Sequence, residues 1–357
     1  MNTPRAHFEF HPSLLSIFLC MAAFGSLLCV PSGAVVVETG VYAALKSFQL
    51  SGGSAVVENL SFKRDRAQMT FHGTFYFAAS VSGRITGAVF LGRGTFRAEA
   101  PPSDFERDSL RRLLKTDVVE SDFETAVLRF SDDSFDIIGR KTVPGNPSPE
   151  AAKLASEFDR RFLKETGANI SARLAVSLLN QEAPGFFLAQ FDKGKRGRFN
   201  CRIDHQGRIP AANFGIDGGE KGLIFAYRSN SIGNDVWMAF YSAEDYARGN
   251  VVYSDALNLF KTAHYKMNVD LREPKKLLRL ALTMRMECLA PSVRAIPFNL
   301  SESLSETDNS RLKKAMRVKS VKLAAAGPLD FAQEDWEGGV TVFLADAADP
   351  RQQLTHL

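Results

Sequence analysis

Met69-Thr70-Phe71-His72-Gly73-Thr74-Phe75-Tyr76-Phe77 is the stretch on which the reading of this chain turns. Met69, Phe71, Gly73, Phe75 and Phe77 alternate with Thr70, His72, Thr74 and Tyr76. Successive side chains of a strand point to opposite faces, so this period predicts a half-buried strand. After Ser82-Gly83, the run from Arg84 to Leu91 pairs with it as a hairpin, and Gly87, Gly92 and Gly94 mark bulges or close backbone approach.

Outward from this hairpin, the pattern from Val35 to about Lys141 is mostly strand. Pro101-Pro102 ends the first sheet. Ser103 then caps a helix, with Glu106 three residues on completing a capping box. Phe105, Leu110, Leu113 and Leu114 are its expected buried stripe, and Phe123 to Phe130 is a further strand. Pro144, Pro147 and Pro149 mark a linker, with Ser148-Pro149 as N-cap and first residue of the next helix. Leu154, Phe158 and Phe162 follow at helical spacing until Gly167, and Asn169 to Leu179 forms a second helix.

Strands then resume. Phe186 to Phe191 and Gly197 to Asp204 flank a turn, Asp192 to Lys195. Tyr265, Met267, Val269 and Leu271 alternate with Lys266, Asn268, Asp270 and Arg272, and Leu282, Met284, Met286 and Cys288 with Thr283, Arg285 and Glu287. Weaker strands lie near Arg294–Leu300, Val318–Leu323 and Val340–Leu344, and Ser301–Ser310 reads as a loop. Alternation with one polar face predicts antiparallel pairing. The expected fold is mainly β (α+β): an N-terminal β-rich domain over 35–141, a linker and helical segment over 142–182, and a C-terminal β-rich domain over 183–357.

The first 34 residues read differently. Arg5 precedes an apolar run from Leu14 to Val30, and Ser32 and Ala34 are small residues at the −3 and −1 positions of a cleavage site. This layout predicts a secretory signal peptide over 1–34, hence a periplasmic or extracellular protein, with an uncleaved membrane anchor as the alternative. Composition agrees with a folded body: 45% of residues are hydrophobic and 24% charged. Phenylalanine is abundant, 28 residues against seven tyrosines and two tryptophans. The net charge of +4 is too small to dictate a partner.

Catalytic motifs are missing from the sequence. After residue 34 the histidines are His72, His205, His264 and His356, none within five residues of another, so no single helix presents a zinc pair. A dispersed site from His72, His205 and His264 is the remaining zinc arrangement. Neither Gly92-Arg93-Gly94 nor Gly194-Lys195-Arg196-Gly197 completes a phosphate loop, and no Gly-x-Ser-x-Gly elbow occurs. Glu120, Asp122 and Glu124, and Asp132-Asp133, lack calcium-loop spacing and read as solvated carboxylates. The basic cluster Arg311, Lys313, Lys314, Arg317, Lys319 and Lys322 suits lipid headgroups, an acidic partner or solvent better than nucleic acid in an exported protein. Cys201 shares an apolar face with Phe199 and Ile203, and Cys288 with Met284 and Met286, so both point inward, as two buried thiols or one disulfide.

Two stretches carry a resemblance. Gly83 to Gly94 (GRITGAVFLGRG), then Pro101-Pro102 and Phe123 to Asp132 (FETAVLRFSD), resemble the long leading region of secreted bacterial proteins that end in an aminopeptidase N-type zinc peptidase. Tyr265 to Leu271 and the strands after it resemble the opening β-sheet domain of that peptidase family. The family's His-Glu-x-x-His helix, downstream glutamate ligand and Gly-x-Met-Glu-Asn strand do not occur here, so no functional residue is carried over. The resemblance implies a non-catalytic accessory or truncated N-terminal portion of an aminopeptidase N-like protein. The other reading is an independent envelope module that binds a peptide or protein, without cofactor and without a catalytic or metal site. A hydrolase with a dispersed site is the third.

Overall fold

The deciding stretch forms β2 (Ala67–Phe77), flanked by β1 (Ser54–Arg64) and β3 (Gly87–Glu99) in one antiparallel ladder. The computed structural model describes residues 36–162, 166–227, 234–273, 277–300, 317–324 and 327–350. The expected signal segment, the Ser301–Ser310 loop, Arg311, Lys313, Lys314 and His356 lie outside the described residues. The fold is mainly β. After β3 come α2 (Asp104–Leu114), β4 (Val118–Phe130) and α3 (Ser134–Ile138). Then follow α4 (Pro149–Glu157), a π-helical turn (Phe158–Phe162), α5 (Ile170–Leu179), β5 (Phe186–Asp192) and β6 (Phe199–Asp204). A short α6 (Ala211–Phe214), β7 (Gly222–Tyr227), β8 (Asn234–Phe240) and α7 (Ala243–Arg248) complete the body.

Strands β1 to β8 make one eight-stranded sheet in sequence order. Its β4–β5 pairing runs from Thr125↔Asp192 to Phe130↔Phe187. The sheet thus continues across 142–182, the segment expected to separate a pair of β-rich domains. That segment lies on one face of the sheet instead of between two sheets: Phe158, Phe162 and Leu174 pack with Val89, Val127, Leu188, Leu223 and Phe225.

Strands four places apart in a flat sheet would stand about 19 Å from one another. Here the Phe62 ring of β1 meets the Phe187 ring of β5 at 5.6 Å. Beyond β8, the Ala243 N–H donates to Asp65 Oδ2 at the β1–β2 turn, 3.0 Å away. The sheet therefore rolls up into an open barrel. Its concave face holds Phe62, Phe71, Phe75, Phe77, Phe90, Phe96, Phe123, Phe130, Phe187, Phe191, Phe199 and Phe240, together with Trp237. This filling accounts for the phenylalanine excess. Glycine makes room for it: a Cβ on Gly94 would collide with the Phe123 ring, and one on Gly222 with the Phe240 ring.

Helix α2 lies against β8 and departs from expectation in two ways. Ser103 caps it, accepting from the Glu106 N–H at 3.4 Å. The Glu106 carboxylate does not return to Ser103; it accepts the Ala239 N–H of β8 at 3.0 Å. Leu110 is buried, but Phe105 is 77% exposed. At 3.6 residues per turn Phe105 sits about 140° from Leu110, whereas Glu106 lies one turn before it and takes the inward place.

The first described residues also differ from the expected strand pattern. Val36–Ser47 forms α1, because Val41 and Leu45, four residues apart, bury together in the outer core. Three smaller sheets follow the body. Strands β9 (Phe260–Glu273) and β10 (Leu277–Cys288) form a hairpin. Strand β11 (Val293–Asn299) pairs with β15 (Gly339–Ala348), which also pairs with β14 (Phe331–Ala332). Strands β12 (Val321–Leu323) and β13 (Gly327–Leu329) pair with each other. Asn180 fastens β11 to the end of α5: its Oδ1 accepts the Arg294 and Ala295 N–H groups, and its Nδ2 donates to the Ala295 carbonyl, each at 2.8 Å.

Candidate functional site

Among the described residues, the β9–β10 hairpin carries the largest group of exposed apolar side chains. Its base is anchored: Met286 and Cys288 are buried with Leu259, Val293, Ile296 and Leu344. Beyond that base the register sets Tyr265 opposite Met284, Met267 opposite Leu282, and Val269 opposite Leu280. Directly opposed residues share a face, so these pairs form one apolar ladder. The alternation predicted half-burial for this face, but Tyr265, Met267, Val269, Leu271, Leu280 and Leu282 are 38–61% exposed. The sheet has only two strands, and no described layer covers the ladder.

Side chains from α5, β6 and the loops after them form a buried ion network. Arg173 donates from Nε and Nη2 to the two Asp204 oxygens at 2.8 and 2.7 Å, and from Nη1 to Glu182 Oε2 at 2.6 Å. Arg208 Nε lies 3.1 Å from Glu182 Oε1. Arg202 joins them, with Nη2 3.3 Å from Asp204 Oδ2. Burial opposes the Asp204 charge, yet Arg173 and Arg202 hold its carboxyl below the ordinary range. Burial lowers the Arg202 guanidinium to about 10. The network joins α5 to β6; it contains no nucleophile. Arg129 of β4 is another buried cation, donating to the Leu45 carbonyl at 2.8 Å with Asp159 Oδ1 3.8 Å away. Burial raises Asp159 to about 6.

Two other carboxyls are held high. Burial, then the nearby Glu106 charge, raises Glu220 to about 7. Burial also raises Glu337 to about 7, where it accepts the Glu334 N–H at 2.6 Å and Asn169 Nδ2 at 3.0 Å. Neither faces a described cavity. The cavity between the π-helical turn and β4–β5, lined by Leu154, Phe158, Arg161, Phe162 and Gln190, measures ≈ 20 Å³. That is room for about one water molecule, far below a small-molecule site.

The residues singled out in the sequence do not converge. Cys201 lies in the barrel filling and Cys288 at the base of the arm, both buried and both free thiols in this structure. Burial pushes the Cys288 thiol up to about 11 and the Cys201 thiol higher still. His72 is exposed on β2, His205 follows β6, and His264 lies in β9. Among the described residues, no group of three or more histidine, cysteine, aspartate or glutamate side chains is placed to hold a metal ion. Glu120 pairs with Arg97, Asp122 accepts the Lys195 N–H at 2.8 Å, and Arg64 pairs with both Asp132 and Asp133 at 2.7 Å. Arg317 donates to the Glu334 and Asp335 carbonyls, while Lys319 and Lys322 are exposed.

Sequence reasoning passed over the ion network. Its only signal was Arg173 standing between Ala172 and Leu174, the one charged residue in a helix that is otherwise apolar but for Ser171 and Ser177. The arm's ladder was visible in the residue pattern; its exposure was not. Compared with known proteins, the chain matches no family model, no curated protein and no solved structure.

Proposed function

We propose that this chain acts by contact rather than by chemistry: a non-catalytic accessory or binding portion of an exported protein of the aminopeptidase N-like kind, working through the β9–β10 arm. The observation that carries the reading is the apolar ladder Tyr265/Met284, Met267/Leu282 and Val269/Leu280, exposed apart from the half-buried Met284, on a hairpin that among the described residues is anchored at its base. A two-stranded hairpin is marginally stable alone in water, so an apolar ladder on one calls for a covering partner. The packed barrel interior supports the same reading, because its phenylalanine rings occupy the place where a ligand-binding barrel keeps its cavity. The same arm carries the second stretch of resemblance, Tyr265 to Leu271.

An aminopeptidase assay on the folded protein, with and without added zinc, tests the non-catalytic reading. No turnover is expected. Chelator-sensitive turnover lost on changing His72, His205 or His264 to alanine would establish a dispersed-site hydrolase instead. Reading the gene beyond Leu357 separates an accessory portion from a stand-alone module: a His-Glu-x-x-His motif downstream marks the former.

A further inference from the structure

Resting on this contact reading, we infer that the arm is a strand-addition site whose partner is a polypeptide segment with apolar residues on one face and acidic residues on the other. Three observations converge on that chemistry. The first is the ladder, an apolar face that an added strand extends by placing its alternate side chains alongside Met267 at the β9 edge or Leu282 at the β10 edge. The second is the backbone: among the described residues β9 and β10 pair only with each other, so each has an outer edge of N–H and C=O groups without a ladder partner.

The third is charge. By sequence, residues 260–288 hold seven lysines and arginines against three acidic residues, a net +4 equal to that of the whole chain. Asp270, on the face opposite the ladder, is already paired with Arg272 at 2.6 Å and Arg279 at 3.8 Å. Lys266 and Arg285 share that polar face through the Lys266↔Thr283 and His264↔Arg285 register pairs. A strand with acidic residues there meets cations, whereas a second copy of this arm brings +4 against +4. A lipid surface suits the charge and the ladder but leaves the backbone edges without hydrogen-bond partners wherever they enter the hydrocarbon. An acidic strand satisfies all three features at once.

The test uses the full chain as exported and a synthetic peptide of alternating valine and glutamate. Its comparators are the same peptide with lysine for glutamate and one with prolines removing the alternate N–H donors. Fluorescence anisotropy should show the glutamate peptide binding at least about tenfold tighter than the lysine peptide. The proline peptide should not bind, and amide exchange should slow along β9 or β10. The double substitution Met267→Thr, Leu282→Thr should weaken binding by about tenfold through loss of cross-strand apolar contact, with an unchanged thermal melt showing that the body is intact. Binding to phosphatidylglycerol vesicles without peptide binding, or self-association abolished by the double substitution, overturns the acidic strand while keeping the arm as a contact surface. No association of any of these kinds overturns both, and aminoacyl turnover removes the purely contact reading on its own.

Discussion

At the scale of single residues, the buried polar groups give the sharpest expectations. Asn180 makes three hydrogen bonds to β11 from a position only 8% exposed. Asn180→Ala strands two N–H groups and a carbonyl, and should cost about 2–4 kcal/mol, read as a lower midpoint in urea with an unchanged slope. The carboxyls predict a pH dependence. Asp159 at about 6, and Glu220 and Glu337 at about 7, stand above the ordinary carboxylate range because burial disfavours their charge. A raised folded pKa contributes stability that is complete below the unfolded value and is lost as pH rises through the folded one. Melting temperature should therefore fall from pH 5 to pH 8, and Glu220→Gln with Glu337→Gln should flatten that fall. Asp204 has the opposite sign: its pairing with Arg173 is lost only in strong acid, well below this window. A melting temperature that rises over pH 5–8 would show that these carboxyls do not govern the profile.

At the scale of elements, the arm and the barrel strands show how one alternating pattern reaches two outcomes. Strand β2 alternates Met69, Phe71, Phe75 and Phe77 and buries all four, because the sheet curls over them. Strand β9 alternates Tyr265, Met267, Val269 and Leu271 and exposes all four, because beyond the base of the arm nothing described packs on its two-stranded sheet. Threonine at Met267 and Leu282 should thus shift stability by no more than about 0.5 kcal/mol, since exposed positions away from caps and cores tolerate substitution. A loss of several kcal/mol in the melt would mean that the ladder is covered by another region of the chain. The helices follow local rules more closely. Ser148 caps α4 before Pro149, as its position in the sequence predicted, while Asn169, expected as the first residue of its helix, is the cap of α5. Glu106 departs from its capping box because the Ala239 N–H of β8 competes for the same carboxylate.

At the scale of the whole molecule, the eight-stranded sheet ties residues 54–130 to 186–240 through β4 and β5. A fragment ending at residue 141 would expose Phe130 and the β4 edge and lose Phe187, Phe191 and Phe199 from the barrel filling. Such a fragment is expected not to fold, whereas Phe90→Ala in the full chain should leave the fold in place and cost about 3–5 kcal/mol. Dispersed amide resonances from the 35–141 fragment would show instead that the N-terminal half is a domain in its own right. The sequence by itself determined the strand periods, the Ser103 and Ser148 caps, the inward faces of Cys201 and Cys288 and the missing catalytic motifs, because each depends on residues within a few positions of one another. Only the tertiary structure decided that one sheet spans both β-rich regions, that the phenylalanines fill its concave face, that Arg173, Glu182 and Asp204 meet, and that the β9–β10 ladder is left bare. Those outcomes depend on which strand edges pair and which layer covers which face, and these are contacts between residues from nine to more than a hundred positions apart that no local period encodes.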